Sequence, residues 1–313
     1  MGSRRGSASW AREEPAAQPV VDVLVATAGR RAELATVLAG LAAQDDPPFR
    51  VLVSDQSDDH ALEREPAVQA MLRVLEVQGR QPRVVRHLPR RGIAEHRDFL
   101  LAQATAPYVL FLDDDVWLEN GMLERLHAAI TELDCGFVGA AQQGLSYLDD
   151  RRPHEQAPFT PWDRSVHPER IRAGAPGSER WTLHNAANLV HIAAGHVFDD
   201  GGWLAYRIAW VAGCVLYRTA ALRETGGFDF WRDLPANIGG EDVAAQWRVM
   251  ERFGGAGILP SGAVHLEAPT TIPDRGTDAA KAVFAHERAT IGAAAHEVAA
   301  FGTAAHEDTQ LAG

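Results

Sequence analysis

Short apolar runs alternate with helical segments along the first third of the chain, and this alternation limits the folds open to it. Val20–Ala26 is a nearly continuous β-branched run of the kind that forms a buried parallel strand, and a helical pattern follows at Ala32–Ala43. Three further predicted strands repeat the arrangement: Phe49–Ser54, Arg83–His87 and Tyr108–Leu112. Strands separated by helices predict an α/β fold with a mixed, mainly parallel sheet, wound by right-handed crossovers and flanked by helices.

The rest of the chain divides by composition and pattern. Prolines and glycines concentrate in residues 142–205, which predicts a loop-rich insert. Glu241–Phe253 has the pattern of an amphipathic helix, and Asp278–Phe301 that of an alanine-rich helix. We expect four parts: a flexible leader (1–19), a first half (20–130), a second half that contains the insert (131–268) and a C-terminal helical extension (269–313).

The composition limits the classes of partner. Hydrophobic residues make up 46% of the chain, enough for a sizeable core, and the formal net charge of −12 argues against a broad nucleic-acid-binding surface. The two cysteines do not suggest a disulfide scaffold. No apolar run approaches the roughly 20 residues that span a bilayer, and the first residues lack the apolar segment of a signal peptide. The sequence therefore predicts a cytoplasmic protein without a transmembrane segment.

Acidic residues follow two of the predicted strands. Asp55 ends the second strand, and Asp113, Asp114 and Asp115 come directly after the fourth. Ligands of such sheets bind beyond the carboxyl ends of the strands, so both acidic groups belong to one rim. Asp113 and Asp115 face the same way in an extended segment, and carboxylates are the ligands that Mg²⁺ and Mn²⁺ favour. A solvated turn that caps the next helix explains the same local pattern.

Three further residues suit catalysis or metal binding, each with a simpler alternative. Glu241 and Asp242 open the amphipathic helix, where acidic side chains either complement the helix dipole or supply a general base to the cleft. His265 lies in a short apolar run, where a histidine is either a buried structural residue or a metal ligand.

Several common nucleotide-binding and hydrolase patterns are missing from the sequence. The first strand is not followed by a Gly-x-Gly-x-x-Gly loop, and the chain has no Walker lysine motif. It also has no Gly-x-Ser-x-Gly nucleophile elbow. Dinucleotide binding, P-loop hydrolysis and α/β-hydrolase chemistry are therefore disfavoured.

Taken in order, the motifs resemble those of the family-two inverting glycosyltransferases, which have a Rossmann-like fold called GT-A. The resemblance covers about residues 20–130 and 208–268. It rests on the first strand and its turn, on the strand-end aspartates and on the later acceptor-side and Glu-Asp segments: Val21–Arg30, Val53–Ser57, Gly92–Asp98, Phe111–Asp115, Trp210–Cys214, Gly226–Asp229 and Gly240–Asp242. His96 and Asp98 stand where the family has Ala and Asn.

The resemblance implies a role for each candidate residue. Donor-binding residues are Thr27, Ala28, Arg30, Asp55, Arg97, Asp113 and Asp114. Among them, Asp55 matches the aspartate that contacts uracil, and Asp113 supports the ribose or the metal's water shell. Asp115 and His265 are the implied ligands of Mn²⁺ or Mg²⁺. Asp242 is the implied catalytic base, and Glu241 contacts acceptor hydroxyls.

The expected activity is metal-dependent, inverting transfer of a sugar from a nucleoside diphosphate to an acceptor hydroxyl. The first half (20–130) then binds the nucleotide sugar, and the second half (131–268) carries acceptor binding and catalysis. UDP is favoured through Asp55, while guanosine and thymidine donors stay open. The acceptor is a saccharide, a lipid-linked molecule or a small molecule. A nucleotidyltransferase and a non-catalytic nucleotide- or carbohydrate-binding module are the alternatives.

Overall fold

The computed structural model describes residues 4–12, 15–58, 62–163, 165–199, 201–270 and 276–285. The strands are β1 (Val21–Thr27), β2 (Phe49–Asp55), β3 (Arg83–Arg86), β4 (Tyr108–Leu112), β5 (Val116–Leu118), β6 (Phe137–Gly139), β7 (Gln143–Gly144), β8 (Leu204–Tyr206), β9 (Cys214–Arg218), β10 (Ile238–Gly239), β11 (Gly255–Leu259), β12 (Ala263–His265) and β13 (Thr277–Asp278). The α-helices are α1 (Arg31–Ala42), α2 (Pro66–Val77), α3 (Ile93–Gln103), α4 (Met122–Leu133), α5 (Pro153–Gln156), α6 (Asn188–Ala193), α7 (Thr219–Glu224), α8 (Glu241–Phe253) and α9 (Ala279–Val283).

An eight-stranded sheet forms the centre of the molecule, in the order β3-β2-β1-β4-β9-β6-β11-β8. The first four strands of that order are parallel to one another. β9 is antiparallel to both β4 and β6, and β8 is antiparallel to β11. The prediction of a mixed, mainly parallel sheet flanked by helices is confirmed.

Apolar side chains cover both faces of this sheet, because successive residues of a strand point to opposite sides. Val23 and Val25 of β1 belong to the core that α1, α2 and α4 cover. Leu24 of β1 and Phe111 of β4 belong to the second core, under α3 and α8. The parallel strands are thus buried on both faces, which is why their sequences read as continuous apolar runs.

The register of the parallel strands brings their polar ends to one rim. Thr27 lies opposite Asp55 in the β1–β2 pair, and Leu24 lies opposite Phe111 in the β1–β4 pair. β4 ends at Leu112, so the aspartates that follow it lie beside the last residues of β1.

A separate three-stranded sheet, in the order β5-β12-β7, carries His265 to the same rim. β12 pairs antiparallel with β5, which places His265 opposite Val116. The backbone N–H of Leu266 donates to the carbonyl of Asp115 at 2.8 Å. Backbone pairing therefore joins residues that are about 150 positions apart in the sequence.

The peripheral segments are short and irregular. The insert 142–205 contains α5, α6 and a 3-10 helix at Ser178–His184. In the leader, Arg4 binds the carbonyl of Ala42 at 3.0 Å, at the end of α1 remote from Arg30. Within the predicted alanine-rich helix Asp278–Phe301, the described residues contain the short helix α9, and residues 286–301 lie outside the described residues. None of the helices within the described ranges is long and apolar enough to cross a bilayer.

Candidate active site

A cleft of about 420 Å³ opens at the carboxyl ends of the parallel strands. Its walls come from the ends of β1 and β4, the first turns of α3 and α8, and the end of β12. All the predicted site residues except Asp55 line it: Thr27, Ala28, Arg30, Arg97, Asp113, Asp114, Asp115, Glu241, Asp242 and His265.

The second and third aspartates of the triplet are tied to β1 and to the turn that follows it. Asp114 accepts a hydrogen bond from the hydroxyl of Thr27 at 2.7 Å. The Nη1 of Arg30 donates to Asp114 Oδ1 at 2.9 Å and to Asp115 Oδ2 at 2.6 Å. Burial raises the pKa of Asp114 to about 6, against the opposing effect of its bonds to Thr27 and Arg30. One guanidinium thus compensates two crowded carboxylates.

Asp115 and His265 together form the pair that was predicted to hold a metal. His265 Nε2 lies 3.3 Å from Asp115 Oδ2, the oxygen that Arg30 also contacts. The hydrogen bond to Asp115 raises the pKa of His265. A carboxylate oxygen and an imidazole nitrogen suit Mn²⁺, and the diphosphate and water supply further ligands in such sites, so the residues fit the ion. Within the described ranges, no three His, Cys, Asp or Glu side chains are grouped to hold a metal by themselves.

Arg97 lies between the aspartate triplet and α8. Its Nη2 donates to Asp113 Oδ1 at 3.1 Å, and its Nε lies 3.1 Å from Glu241 Oε1. Burial would lower the pKa of Arg97, but the carboxylates of Glu241 and Asp113 outweigh it and raise that pKa. The guanidinium therefore joins the two acidic groups of the cleft.

Burial raises the pKa of Glu241 to about 7, although the charge of Arg97 opposes the shift. The proton of Glu241 is therefore held more strongly than in an exposed glutamate.

The first turn of α8 places Asp242 on the cleft wall. The residue before the helix, Gly240, has φ +75°, a left-handed conformation that favours glycine. Asp242 Oδ1 accepts from the N–H of Val243 at 2.9 Å. Farther along the helix, the Gln246 amide pairs with the backbone N–H and carbonyl of Val211, at 2.8 and 2.6 Å. The Gln246 contacts fix α8 against the segment that precedes β9.

Asp55 makes its contacts inside the protein. Its Oδ1 accepts from the backbone N–H and the hydroxyl of Ser57, at 2.8 and 2.5 Å. Its Oδ2 lies 3.9 Å from Nη1 of Arg86. The side chain is 4% exposed, and Asp55 is absent from the lining of the cleft. Its contact with a base stays a prediction.

The cleft lining also includes polar residues to which the sequence analysis gave no role, among them Gln56, Arg90, His96 and Gln142. Its position directly after Asp55, at the end of β2, could have indicated that Gln56 lies at the cleft. Burial lowers the pKa of His96 to about 3, and its Nε2 lies 2.7 Å from the Ser54 hydroxyl. The imidazole of His96 is therefore neutral.

Two solved structures are similar to this chain, and the first of them shows the same fold. One is the mannosyltransferase PcManGT from Pyrobaculum calidifontis, solved in complex with GDP-Man and Mn²⁺ (TM-score 0.53, 16% identity, 85% of this chain and 64% of that chain). Another is TarS 1-349 from S. aureus in complex with UDP-GlcNAc (TM-score 0.49, 18% identity, 80% and 60%). The chain thus spans somewhat less than two thirds of the length of each. Among curated proteins, no match is found.

The sequence profile described as Glycosyl transferase family 2 matches residues 22–193, more than half of the chain. That range includes the aspartate triplet and the ends of β1 and β4 that line the cleft. The chain belongs to glycosyl transferase family 2 and has a GT-A fold.

Proposed function

We propose that this glycosyltransferase moves a sugar from a nucleoside-diphosphate donor to an acceptor hydroxyl, with inversion at the anomeric carbon and with Mn²⁺ or Mg²⁺. The observation that carries the proposal is that one cleft holds both the Asp113–Asp115 triplet and the Glu241–Asp242 pair. A donor whose diphosphate lies at the triplet then presents its sugar to the first turn of α8.

The donor is assigned to the end of β1 and to the triplet. Thr27, Ala28 and Arg30 form the turn that receives the nucleotide, and Asp113 supports the ribose. A uridine donor is favoured from the sequence. The fold of PcManGT, which is in complex with GDP-Man and Mn²⁺, supports a nucleotide-sugar donor and a divalent cation here.

Asp115 and His265 are the residues that would hold the metal. A bound divalent cation stabilises the charge that develops on a diphosphate leaving group. The chain also brings its own positive charge, because Arg30 donates to Asp114 and Asp115 from the same wall of the cleft. Arg30 is therefore placed to contact phosphate oxygens as well.

Asp242 is assigned as the general base. The acceptor oxygen forms a bond to the anomeric carbon while the bond from that carbon to the diphosphate oxygen breaks. The bonding electron pair leaves with the diphosphate, and the acceptor proton passes to Oδ2 of Asp242. A sugar hydroxyl has a high pKa, so the carboxylate acts as the new bond forms and not beforehand. Attack from the face opposite the leaving group inverts the anomeric carbon.

Glu241 is assigned to acceptor binding. Burial raises the pKa of its carboxyl group, which makes the protonated form easier to reach than in an exposed glutamate. It can therefore donate to an acceptor hydroxyl or accept from one. Arg97 holds it in place from the side of α3.

The test of the base is Asp242→Asn, which keeps the shape of the side chain and removes its basicity. We expect release of nucleoside diphosphate from a nucleotide sugar to fall at least about 100-fold, with donor affinity unchanged. Asp233→Asn, at an exposed position in the loop before α8, is the matched control. Unchanged turnover in Asp242→Asn would contradict the assignment. Release of pyrophosphate or a nucleoside monophosphate would instead indicate nucleotidyl transfer.

Inversion is tested with water as the acceptor. Proton NMR during slow donor hydrolysis would detect the first anomer released, before mutarotation. An α-linked donor should give the β-anomer first. Initial release of the α-anomer would show retention and refute the single-displacement mechanism.

A further inference from the structure

We infer that Gln246, a fully buried residue in the second turn of α8, is a positioning residue for the reaction. It holds the general base Asp242 at a fixed distance from the aspartate triplet. The side chain of Gln246 does not line the cleft, so it acts through the backbone segment that it binds. The inference rests on the proposed function, because it concerns the base assigned there.

The Gln246 amide connects α8 to a single residue of the neighbouring segment. Gln246 lies one turn after Asp242, on the same face of the helix. Its Oε1 accepts from the N–H of Val211 at 2.8 Å, and its Nε2 donates to the carbonyl of Val211 at 2.6 Å. Two bonds to one residue fix both its distance and its orientation, as pairing with a neighbouring strand would.

The segment that starts at Val211 leads directly to the aspartate triplet. Ala212 lines the cleft, and the carbonyl of Gly213 accepts from the backbone N–H of Asp113 at 2.9 Å. Val211 has little room to move away, because a Cβ on Gly139 of β6 would lie 2.1 Å from its Cγ1. A continuous path of contacts therefore runs from α8 to the first aspartate of the triplet.

Arg97 also connects α8 to the triplet, but through groups that a ligand can reach. It contacts Glu241 and Asp113, and all three residues line the cleft. The amide of Gln246 is uncharged, and both Gln246 and Val211 are fully buried. Breaking hydrogen bonds to buried backbone groups is costly. The Gln246 contact therefore keeps the spacing constant while donor and acceptor bind and leave.

The first experiment compares Gln246→Met with Gln44→Met, which removes a matched amide. Gln44 is also fully buried and does not line the cleft. Its amide bonds to the carbonyls of Gly40 and Glu119, both at 3.0 Å, and to the N–H of Leu123 at 3.1 Å. Both variants should lower the midpoint of thermal unfolding.

Only Gln246→Met should lower kcat for release of nucleoside diphosphate, by about 100-fold, the cost of misplacing a reacting group by about 1 Å. Its affinity for UDP with MnCl₂, measured by calorimetry, should stay unchanged. Gln246→Glu keeps an acceptor for the N–H of Val211 and serves as the second variant if Gln246→Met does not fold. Normal kcat in the folded Gln246 variants, or an equal loss in Gln44→Met, would overturn the inference.

A double-mutant cycle with Asp242→Asn separates positioning of the base from a general loss of packing. If Gln246 acts through the base, adding Gln246→Met to Asp242→Asn should lower turnover little further. Losses that multiply would show that Gln246 acts independently of the base and would overturn the inference. Normal turnover in Asp242→Asn alone would instead refute the proposed function, which distinguishes the two failures.

Discussion

Arg30 contacts Asp115, the carboxylate that would also hold the metal ion. Its Nη1 lies 2.6 Å from Asp115 Oδ2, and the same nitrogen holds Asp114. A metal ion bound to the same carboxylate would be repelled by the guanidinium charge. In the nucleotide-free protein, Arg30 therefore competes with the metal for Asp115.

We predict that Arg30→Met makes the nucleotide-free protein bind Mn²⁺ about three- to tenfold more tightly, the equivalent of one modest ion pair. The paramagnetic resonance signal of free Mn²⁺ measures that binding directly. Arg31→Met is the matched control, since Arg31 is the next residue and does not line the cleft. Weaker Mn²⁺ binding in Arg30→Met would show that Arg30 organises the site for the metal.

Glu241 should make stability fall as the pH rises. Burial raises its folded-state pKa to about 7, above the usual value near 4.3 of an unfolded chain. Between these two pKa values the folded state binds more protons than the unfolded state does. The free energy of unfolding due to this group is therefore highest below about pH 4.3 and declines until about pH 7.

We predict that Glu241→Gln loses this decline. The difference in free energy of unfolding, variant minus wild type, should be larger at pH 8 than at pH 5. Urea denaturation at both pH values measures it. Asp114, whose pKa burial raises to about 6, contributes a decline of the same sign in both proteins and cancels in the comparison. Glu224→Gln, at an exposed ion pair, is the control. A difference that does not change with pH would contradict the raised pKa.

At the scale of elements, α3 supports the loop that leads into α8. Gly92 precedes α3 with φ +101°, and a Cβ there would lie 2.5 Å from the carbonyl oxygen of Ala236. The contact leaves room for glycine alone where the start of α3 meets the loop that leads into α8.

Gly92→Ala should therefore displace the first turn of α8 and reduce both stability and turnover. Gly121→Ala is the matched control, because Gly121 also has positive φ but its Cβ would meet nothing within 4 Å. We expect the control to lose about 1–2 kcal/mol of stability from the backbone conformation alone, with normal turnover. Gly92→Ala should lose more stability and most of its turnover. Equal effects in the two variants, by urea denaturation and donor turnover, would refute the role of this contact.

The elements also show what sequence patterns can and cannot predict. The predicted helix Glu241–Phe253 has the same bounds as α8, because its apolar face and its flanking glycines are local signals. The triplet was visible because a buried strand ends at Leu112. The antiparallel direction of β9 was not predictable, since strand direction depends on how distant segments connect.

The contacts between residues of the cleft could not be predicted either, because they also depend on how distant segments come together. The Arg97–Glu241 ion pair joins residues that are 144 positions apart (241 − 97). No hydrophobic periodicity in the sequence indicates such a contact. His265 was a candidate from the family resemblance, but only the pairing of β12 with β5 brings it to Asp115. The engagement of Asp55 by Ser57 likewise depends on turn geometry that the sequence does not specify.

At the scale of the whole molecule, the net charge is negative, but positively charged arginines line the cleft. The chain has a formal net charge of −12, yet Arg30, Arg90 and Arg97 line the cleft. All three contact carboxylates, but Arg97 lies between the aspartate triplet and α8, whereas Arg30 and Arg90 lie toward the ends of β1 and β2. This distribution suits a diphosphate donor that binds along the strand ends, with the acceptor approaching from α8.

The most direct test of this account is the thermal stability of the protein with nucleoside diphosphates, in the presence and absence of Mn²⁺. A ligand that binds only the folded state raises the unfolding midpoint by mass action. We predict an increase with UDP that requires Mn²⁺, is lost in Asp115→Ala and persists in Asp242→Asn and in the exposed control Asp58→Ala. An unchanged midpoint with every nucleotide, or an increase that Asp115→Ala does not alter, would contradict a metal-dependent donor site at the end of β4.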